Sequence, residues 1–441
     1  MNLLNYFSQS APVPRSAAFD EFSSSSGSGT SRLSMFCGID LLFAGQAAAL
    51  RRRLRNSKVG CLTHSAAVDR RGVRTLDVLE ELGANCSVVF SPEHGLEGVA
   101  QAQEVVQSEA GNSQNRLGSR LVSLYGTSPE SLSPSEDALS ETDVLVIDLV
   151  DVGSRFYTYV WTAWLTLQTA ARRGIHTVVL DRPNPISGDP ATLEGRPQQP
   201  EFLSFVGLEP LPIRHALTIG ELLCLLAERA GLTLGAQGAI SVVRAAGWER
   251  HKTAVAWGRP FVNPSPNMPT VETALVYPGG CLLEGTNLSE GRGTTLPFQT
   301  VGAPFLDGER LASDLLSQGV PGAWVRPISF RPAFDKHQNV VCHGVTINVT
   351  DSTIFRPVAT YAALIALAHA QAPEQVQFLT GTYEFESTRL AFDLLTGSSE
   401  ARQAILAGAR AAEVVELVAP VDTAWRDRIM DAERRADSAT A

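Results

Sequence analysis

The sequence predicts an α/β protein: a Rossmann-like, doubly wound, mostly parallel sheet followed by a second, smaller α+β region. Three observations predict it. Short apolar runs are continuous rather than alternating, as in strands buried on both faces. Amphipathic helical stretches separate those runs, as in a parallel sheet covered by helices. A Pro- and Asn-rich turn at 263–269 then interrupts the pattern and marks a boundary.

The elements follow in order. Residues 1–37 are serine-rich, with a run at Ser23–Ser26 and no helix or strand period, and read as a disordered tail. Strands are expected at 59–62, 88–90, 121–124, 144–147 and 177–180. Helices are expected at 75–82 and at 160–173, the latter closed by Arg172, Arg173 and a Gly174 stop. Another is expected at 218–230, where Thr218 is the N-cap and Glu221 completes a capping box. Together 38–262 make the Rossmann-like domain. Residues 263–441 make the smaller one, with a glycine-rich loop at 279–293, a strand at 341–349 and a helix at 359–370.

The chain has 441 residues, 44% of them hydrophobic and 19% charged, a core-forming composition that rules out a wholly disordered chain. The formal net charge of −10 lacks the basic footprint of a nucleic-acid or anionic-membrane binder, so neither partner is expected. No apolar stretch approaches the ~20 residues of a membrane span. The six cysteines include no CxxC pair and read as reduced buried thiols. The first basic residue is Arg15 and the early apolar run is short, unlike a secretory signal, so a cytoplasmic location is expected.

Ligands of open parallel sheets bind beyond the carboxyl ends of the strands. Those positions here hold Thr63-His64-Ser65, Ser91-Pro92-Glu93-His94-Gly95, the set Asp148, Asp151, Arg155, Tyr157 and Tyr159, and the run Asp181-Arg182-Pro183-Asn184-Pro185. No Walker A, GxGxxG, HExxH or GxSxG motif is present, and no cofactor or metal is expected. Carboxylates, arginines and aromatics remain, which suits acid/base chemistry on a polar, ring-shaped substrate such as a sugar.

Several motifs carry a family resemblance: FSPEHG at 90–95, DLVDVGSRFYTY at 148–159, LDRPNP at 180–185, SFVG at 204–207, PSPNMP at 264–269 and YPGGCLLEGTNLSEGRGTTLP at 277–297. In this order they resemble the NamZ-type exo-β-N-acetylmuramidases of bacterial peptidoglycan recycling, from about Gly38 to the C-terminus. The resemblance implies removal of terminal N-acetylmuramic acid from the non-reducing end of cell-wall fragments. It also implies a Rossmann-like N-terminal domain and a smaller C-terminal one. His64 stands where Asn is usual, Val150 where Gln is usual, and Ala216-Leu217 where Gly-Met is usual.

Glu93 is the expected catalytic carboxyl, the alternative being an acid that serves a helix N-terminus. Glu194, which resembles the family's second retained glutamate, would pair with it as acid and base or nucleophile. Otherwise it is a loop acid. Asp148 and Asp151 would orient a sugar hydroxyl or hold Arg155. His94 would tune Glu93 or bond the substrate, one of Tyr157 and Tyr159 would stack on a sugar while the other is core, and Arg182 and Asn184 would bind it or shape a turn. Asn287, Glu290 and Arg292, with Glu284, lie on a loop read as surface or lid. The lactyl carboxylate of muramic acid calls for a guanidinium, Arg292 or Arg155. Two other functions fit the same residues: a non-catalytic muropeptide-binding protein, and a metal-dependent hydrolase using Asp148, Asp151, His94 and Glu93.

Overall fold

The computed structural model describes residues 35–106, 118–420 and 424–440. The expected serine-rich tail lies outside these up to residue 34. Residues 35–37 already belong to the fold, since the Phe36 amide and carbonyl both pair with Ala246.

The five apolar runs form the strands β1 (Lys58–Thr63), β2 (Asn85–Ser91), β3 (Arg120–Ser123), β4 (Val144–Asp148) and β5 (His176–Leu180); all are longer than the apolar run except β3, which lies one residue earlier at the same length. A sixth, β6 (Ile240–Val243), stands outside the expected set. All pairings are parallel, in the order β3-β2-β1-β4-β5-β6. The chain thus reverses its winding between β1 and β4, the usual crevice of a doubly wound sheet. Every residue of β4 and β5 is buried, which is why their runs are apolar without alternation.

The helix Tyr159–Arg172 covers the sheet and is followed by Gly174 in the left-handed region (φ 70), as its stop signal requires. The helix Ile219–Arg229 begins with the expected box. Thr218 Oγ1 accepts from the Glu221 amide, and Glu221 accepts from the Thr218 amide.

The second sheet is antiparallel, β7 (Thr300–Ala303), β8 (Ala323–Phe330) and β9 (Cys342–Val349), with β9 in the middle. The helix Pro357–Gln371 is nearly all buried. One apolar cluster runs through both parts of the chain, joining Ile147 and Trp161 to Val345 and Leu364. Among the described residues no helix is long and apolar enough to cross a membrane.

The expected glycine-rich loop at 279–293 begins later than its composition suggests, since only 286–293 lies outside regular elements. Val271–Gly280 is a helix, and Cys281–Gly285 a 3₁₀ turn. Its glycines serve close packing: a Cβ on Gly279 would lie 2.1 Å from the Pro357 carbonyl oxygen. Helix propensity alone favours Gly279→Ala by about 1 kcal/mol. The contact with Pro357 reverses that sign, and overpacking of this kind costs about 1–3 kcal/mol. We expect Gly279→Ala to lower the denaturation midpoint; a raised midpoint would show that the two helices separate freely.

Candidate active site

β2 ends at Ser91, and Pro92 releases the chain from the sheet. His94 (φ 68) and Gly95 (φ 79) then turn it sharply, which leaves Glu93 buried at the sheet's carboxyl edge. The Thr158 hydroxyl donates to Glu93 Oε2 at 2.6 Å, and the Gln103 amide donates to Oε1 at 3.1 Å. Gln103 itself holds a left-handed backbone (φ 61) to present that amide. Two loops, one after β2 and one after β4, thus fix the carboxylate. His94 is anchored through Nδ1 to the Ala100 carbonyl at 2.8 Å.

Glu93 and His94 line a cleft with about 450 Å³ of empty volume. Tyr157 forms part of its wall, its ring 4.6 Å from that of Tyr159 and 6.1 Å from that of Tyr277. Tyr159 is core instead, its hydroxyl donating to the Pro264 carbonyl. Ser265, Asn267 and Met268 bring the PSPNMP segment to the same wall. The opposite wall comes from the second half of the chain, as Glu284, Arg292, Tyr383 and Glu384. Through Ala102, Glu284, Arg292 and Tyr383 the cleft continues into an outer one of about 1270 Å³, lined by Glu290, Asp335 and Lys336 as well.

Arg292 is the cation of the inner cleft. Its Nη2 donates to Glu284 at 2.6 Å and its Nε to Glu290 at 3.0 Å, with the guanidinium 5.1 Å above the Phe298 ring. Lys336 donates to Glu290 at 2.8 Å. Burial pushes the Glu290 carboxyl up, but Lys336 and Arg292 outweigh it and hold the group below its ordinary range. The segment 284–292 is therefore a buried wall rather than a mobile lid. Within it Asn287 is structural, bonded to the Gln375 carbonyl and the Gln377 amide.

Glu384 escaped the sequence reading. It is buried on the cleft wall and accepts a hydrogen bond from the Tyr125 hydroxyl at 2.9 Å. Burial, and next the charge of Glu93, push its carboxyl well above the ordinary range. No motif marks it; the only signal was a short Glu-rich turn, Tyr383-Glu384-Phe385-Glu386.

Other expected residues lie elsewhere. Glu194 does not line the cleft with Glu93. Its backbone pairs with Arg214, and its Oε1 accepts the Ala359 amide at 2.7 Å, which caps the helix Pro357–Gln371. Asp148 holds Arg182 rather than Arg155, in a two-bond clasp of 2.5 and 3.0 Å, and also accepts from Thr75. Asp151 accepts the Gly153 amide and sits 3.7 Å from His215 Nε2. Asp151 and Arg182 line a separate cavity at the β1/β4 reversal point. A metal set of Asp148, Asp151, His94 and Glu93 is thus not assembled: the Asp148 oxygens are taken by Arg182 and Thr75. Arg155 spends its guanidinium on the carbonyls of Arg196, Leu211 and Leu395 and faces no ligand. Asn184 shapes its turn, accepting from the Ile186 amide and donating to the Leu217 carbonyl.

Family models described as "Exo-beta-N-acetylmuramidase NamZ", N-terminal and C-terminal, match residues 59–272 and 275–432. The chain is 40% identical over 349 residues to the peptidoglycan beta-N-acetylmuramidase NamZ of Bacillus subtilis (strain 168), covering 79% of this chain and 80% of that one. The chain belongs to the NamZ family. Two crystal structures of DUF1343 family proteins from Bacteroides fragilis share the fold. One has a TM-score of 0.75 at 27% identity, the other 0.64 at 24%, each over 92% of this chain and 98% of the other.

Departures from the NamZ pattern have local structural accounts. The His64 and Val150 substitutions meet: the Val150 amide donates to His64 Nε2 at 3.0 Å. Burial pushes the His64 imidazole down to about 3, so it stays neutral and accepts that bond. Ala216 keeps a left-handed backbone (φ 56), the conformation a glycine adopts without strain.

Glu194 offers a test of its placement. Burial pushes its carboxyl from 4.5 up to about 7, against the Ala359 amide and the Arg214 guanidinium. A folded pKa above the unfolded one means the wild type loses stability as pH rises from 4.5 to about 7. Glu194→Gln still accepts the amide but does not titrate. Its stability relative to wild type should rise across that window, with turnover within a few-fold of wild type. Loss of turnover at unchanged stability would return Glu194 to the reaction.

Proposed function

We propose that this chain hydrolyses the bond that joins a terminal, non-reducing N-acetylmuramic acid to the rest of a peptidoglycan fragment, with Glu93 as a working carboxylate. The observation that carries the reading is Glu93 itself. It lies in the FSPEHG motif of a chain that belongs to the NamZ family, fixed by Thr158 and Gln103 at the bottom of a cleft. The Bacillus subtilis relative is named for that sugar. The inner cleft is lined almost wholly by buried residues and opens into a wider outer cleft, an arrangement that suits a fragment engaged by its end. The aromatic wall at Tyr157 supports stacking against a pyranose face.

Arg292 is the candidate partner of the lactyl carboxylate. With Nε and Nη2 committed to Glu290 and Glu284, Nη1 is the atom left for a ligand. A cytoplasmic site of action fits the six free thiols.

The direct test is turnover of MurNAc-GlcNAc and of longer glycan strands. Free N-acetylmuramic acid should appear from chain ends at once, with no mid-chain products. Glu93→Gln keeps the shape of the side chain and should lose about 10²–10⁴-fold in rate. Near-normal turnover of that variant would remove Glu93 from the reaction. Arg292→Lys keeps the charge but breaks the planar fork. It should weaken binding of N-acetylmuramic acid while leaving weak N-acetylglucosamine binding as it was. Equal losses for both sugars would make the arginine purely structural.

A further inference from the structure

We propose that Glu384 is the second working carboxyl of this site, the proton donor to the leaving oxygen opposite Glu93; the inference rests on the glycosidase reading above.

The geometry starts with a strained turn. Tyr383 and Glu386 exchange both backbone hydrogen bonds, at 2.8 and 2.9 Å, so Glu384 and Phe385 form a two-residue hairpin loop. Both have positive φ, 46 and 67. Loops of this kind normally carry Asn-Gly, because larger side chains are strained there. Here Phe385 is held against the rings of Tyr125 and Phe205, at 5.3 and 6.3 Å, and Glu384 is delivered to the cleft wall. Strain kept at a cleft, in residues the turn does not favour, points to function.

The chemistry of the neighbours assigns the role. Glu93 accepts hydrogen bonds at both oxygens, one from the Gln103 backbone amide and one from the Thr158 hydroxyl. Among the described residues Glu384 has a single donor, Tyr125. The groups that face it are Glu93, Tyr125, Glu284 and Arg292, and the guanidinium is already clasped by Glu284 and Glu290. Burial and the Glu93 charge therefore keep a proton on Glu384. A protonated carboxyl in the same cleft as a second carboxyl can act as general acid while the other acts as base.

In the reaction Glu384 gives its proton to the bridging oxygen as the bond from that oxygen to C1 of the terminal sugar breaks. The bonding pair stays with the oxygen, which leaves as a hydroxyl of the shortened fragment. Water adds to C1, and its proton passes to the Glu93 carboxylate. Glu93 ends protonated and Glu384 charged; exchange of one proton with solvent restores both.

The test compares leaving groups. A 4-nitrophenyl glycoside of N-acetylmuramic acid needs no proton on departure, whereas MurNAc-GlcNAc does. Glu384→Gln should lose about 10²–10⁴-fold on the disaccharide but less than about tenfold on the aryl glycoside. Glu93→Gln should lose on both. Equal losses on the two substrates for Glu384→Gln, or no loss on either, would overturn the proposal. Wild-type protein that cleaves neither substrate would instead overturn the glycosidase reading itself. Tyr125→Phe gives an independent measure. It removes the hydrogen bond that lowers the Glu384 pKa, so the alkaline limb of the rate profile should move to higher pH. An unmoved limb would contradict the assignment.

Discussion

Three glutamates, Glu93, Glu284 and Glu384, share a buried cleft with one guanidinium, that of Arg292, among the described residues. Buried carboxylates need partners, and an unpaired one takes up a proton instead. The arrangement sorts them. Arg292 binds Glu284 through Nη2 and Glu290 through Nε, with Lys336 as a second cation for Glu290. Glu93 is served by a hydroxyl and an amide. Glu384 is left with a phenol, in the field of Glu93. The cleft is thereby lined by carboxyls from both halves of the chain, each with its own partners.

That division of labour explains much of the fold. The parallel sheet brings Glu93 and Thr158 to one edge, from the ends of β2 and β4. The second half supplies the opposing wall through the helix Val271–Gly280, the buried segment after it and the turn at Glu384. The halves are held in register by burial rather than by a linker. Arg155 reaches three backbone carbonyls, including that of Leu395 far along the chain, and desolvation pushes its guanidinium down to about 9. Glu194 caps a helix of the second half from a loop of the first. Both had looked like site residues because buried charge is the signature of function and of such struts alike.

The sheet was legible in the sequence because a strand buried on both faces is apolar without interruption, and β1, β2, β4 and β5 are. β6 (Ile240–Val243) lies outside the expected set. Glu93 was legible because a carboxylate directly after such a strand, between Pro92 and His94-Gly95, has little structural reason to be there. Asp148, the last residue of β4, and Arg182, two residues after β5, lie on the same rim, yet they satisfy each other across the strands. Strand-end position places a residue on the rim, and only its partners decide whether it is free for a ligand. Glu384 was invisible for the converse reason: its turn lacks the Asn-Gly signal, and its partners Tyr125 and Glu93 are distant in sequence.

The central claim is that the sugar sits between Glu93 and Glu384, on the β2 side of the sheet, rather than at the β1/β4 reversal point. A crystal structure of the inactive Glu93→Gln protein with N-acetylmuramic acid tests this most directly. The account predicts C1 of the sugar between residue 93 and the Glu384 carboxyl, with the lactyl carboxylate on Arg292. A sugar bound instead in the cavity beside Asp151 and Arg182 would contradict it.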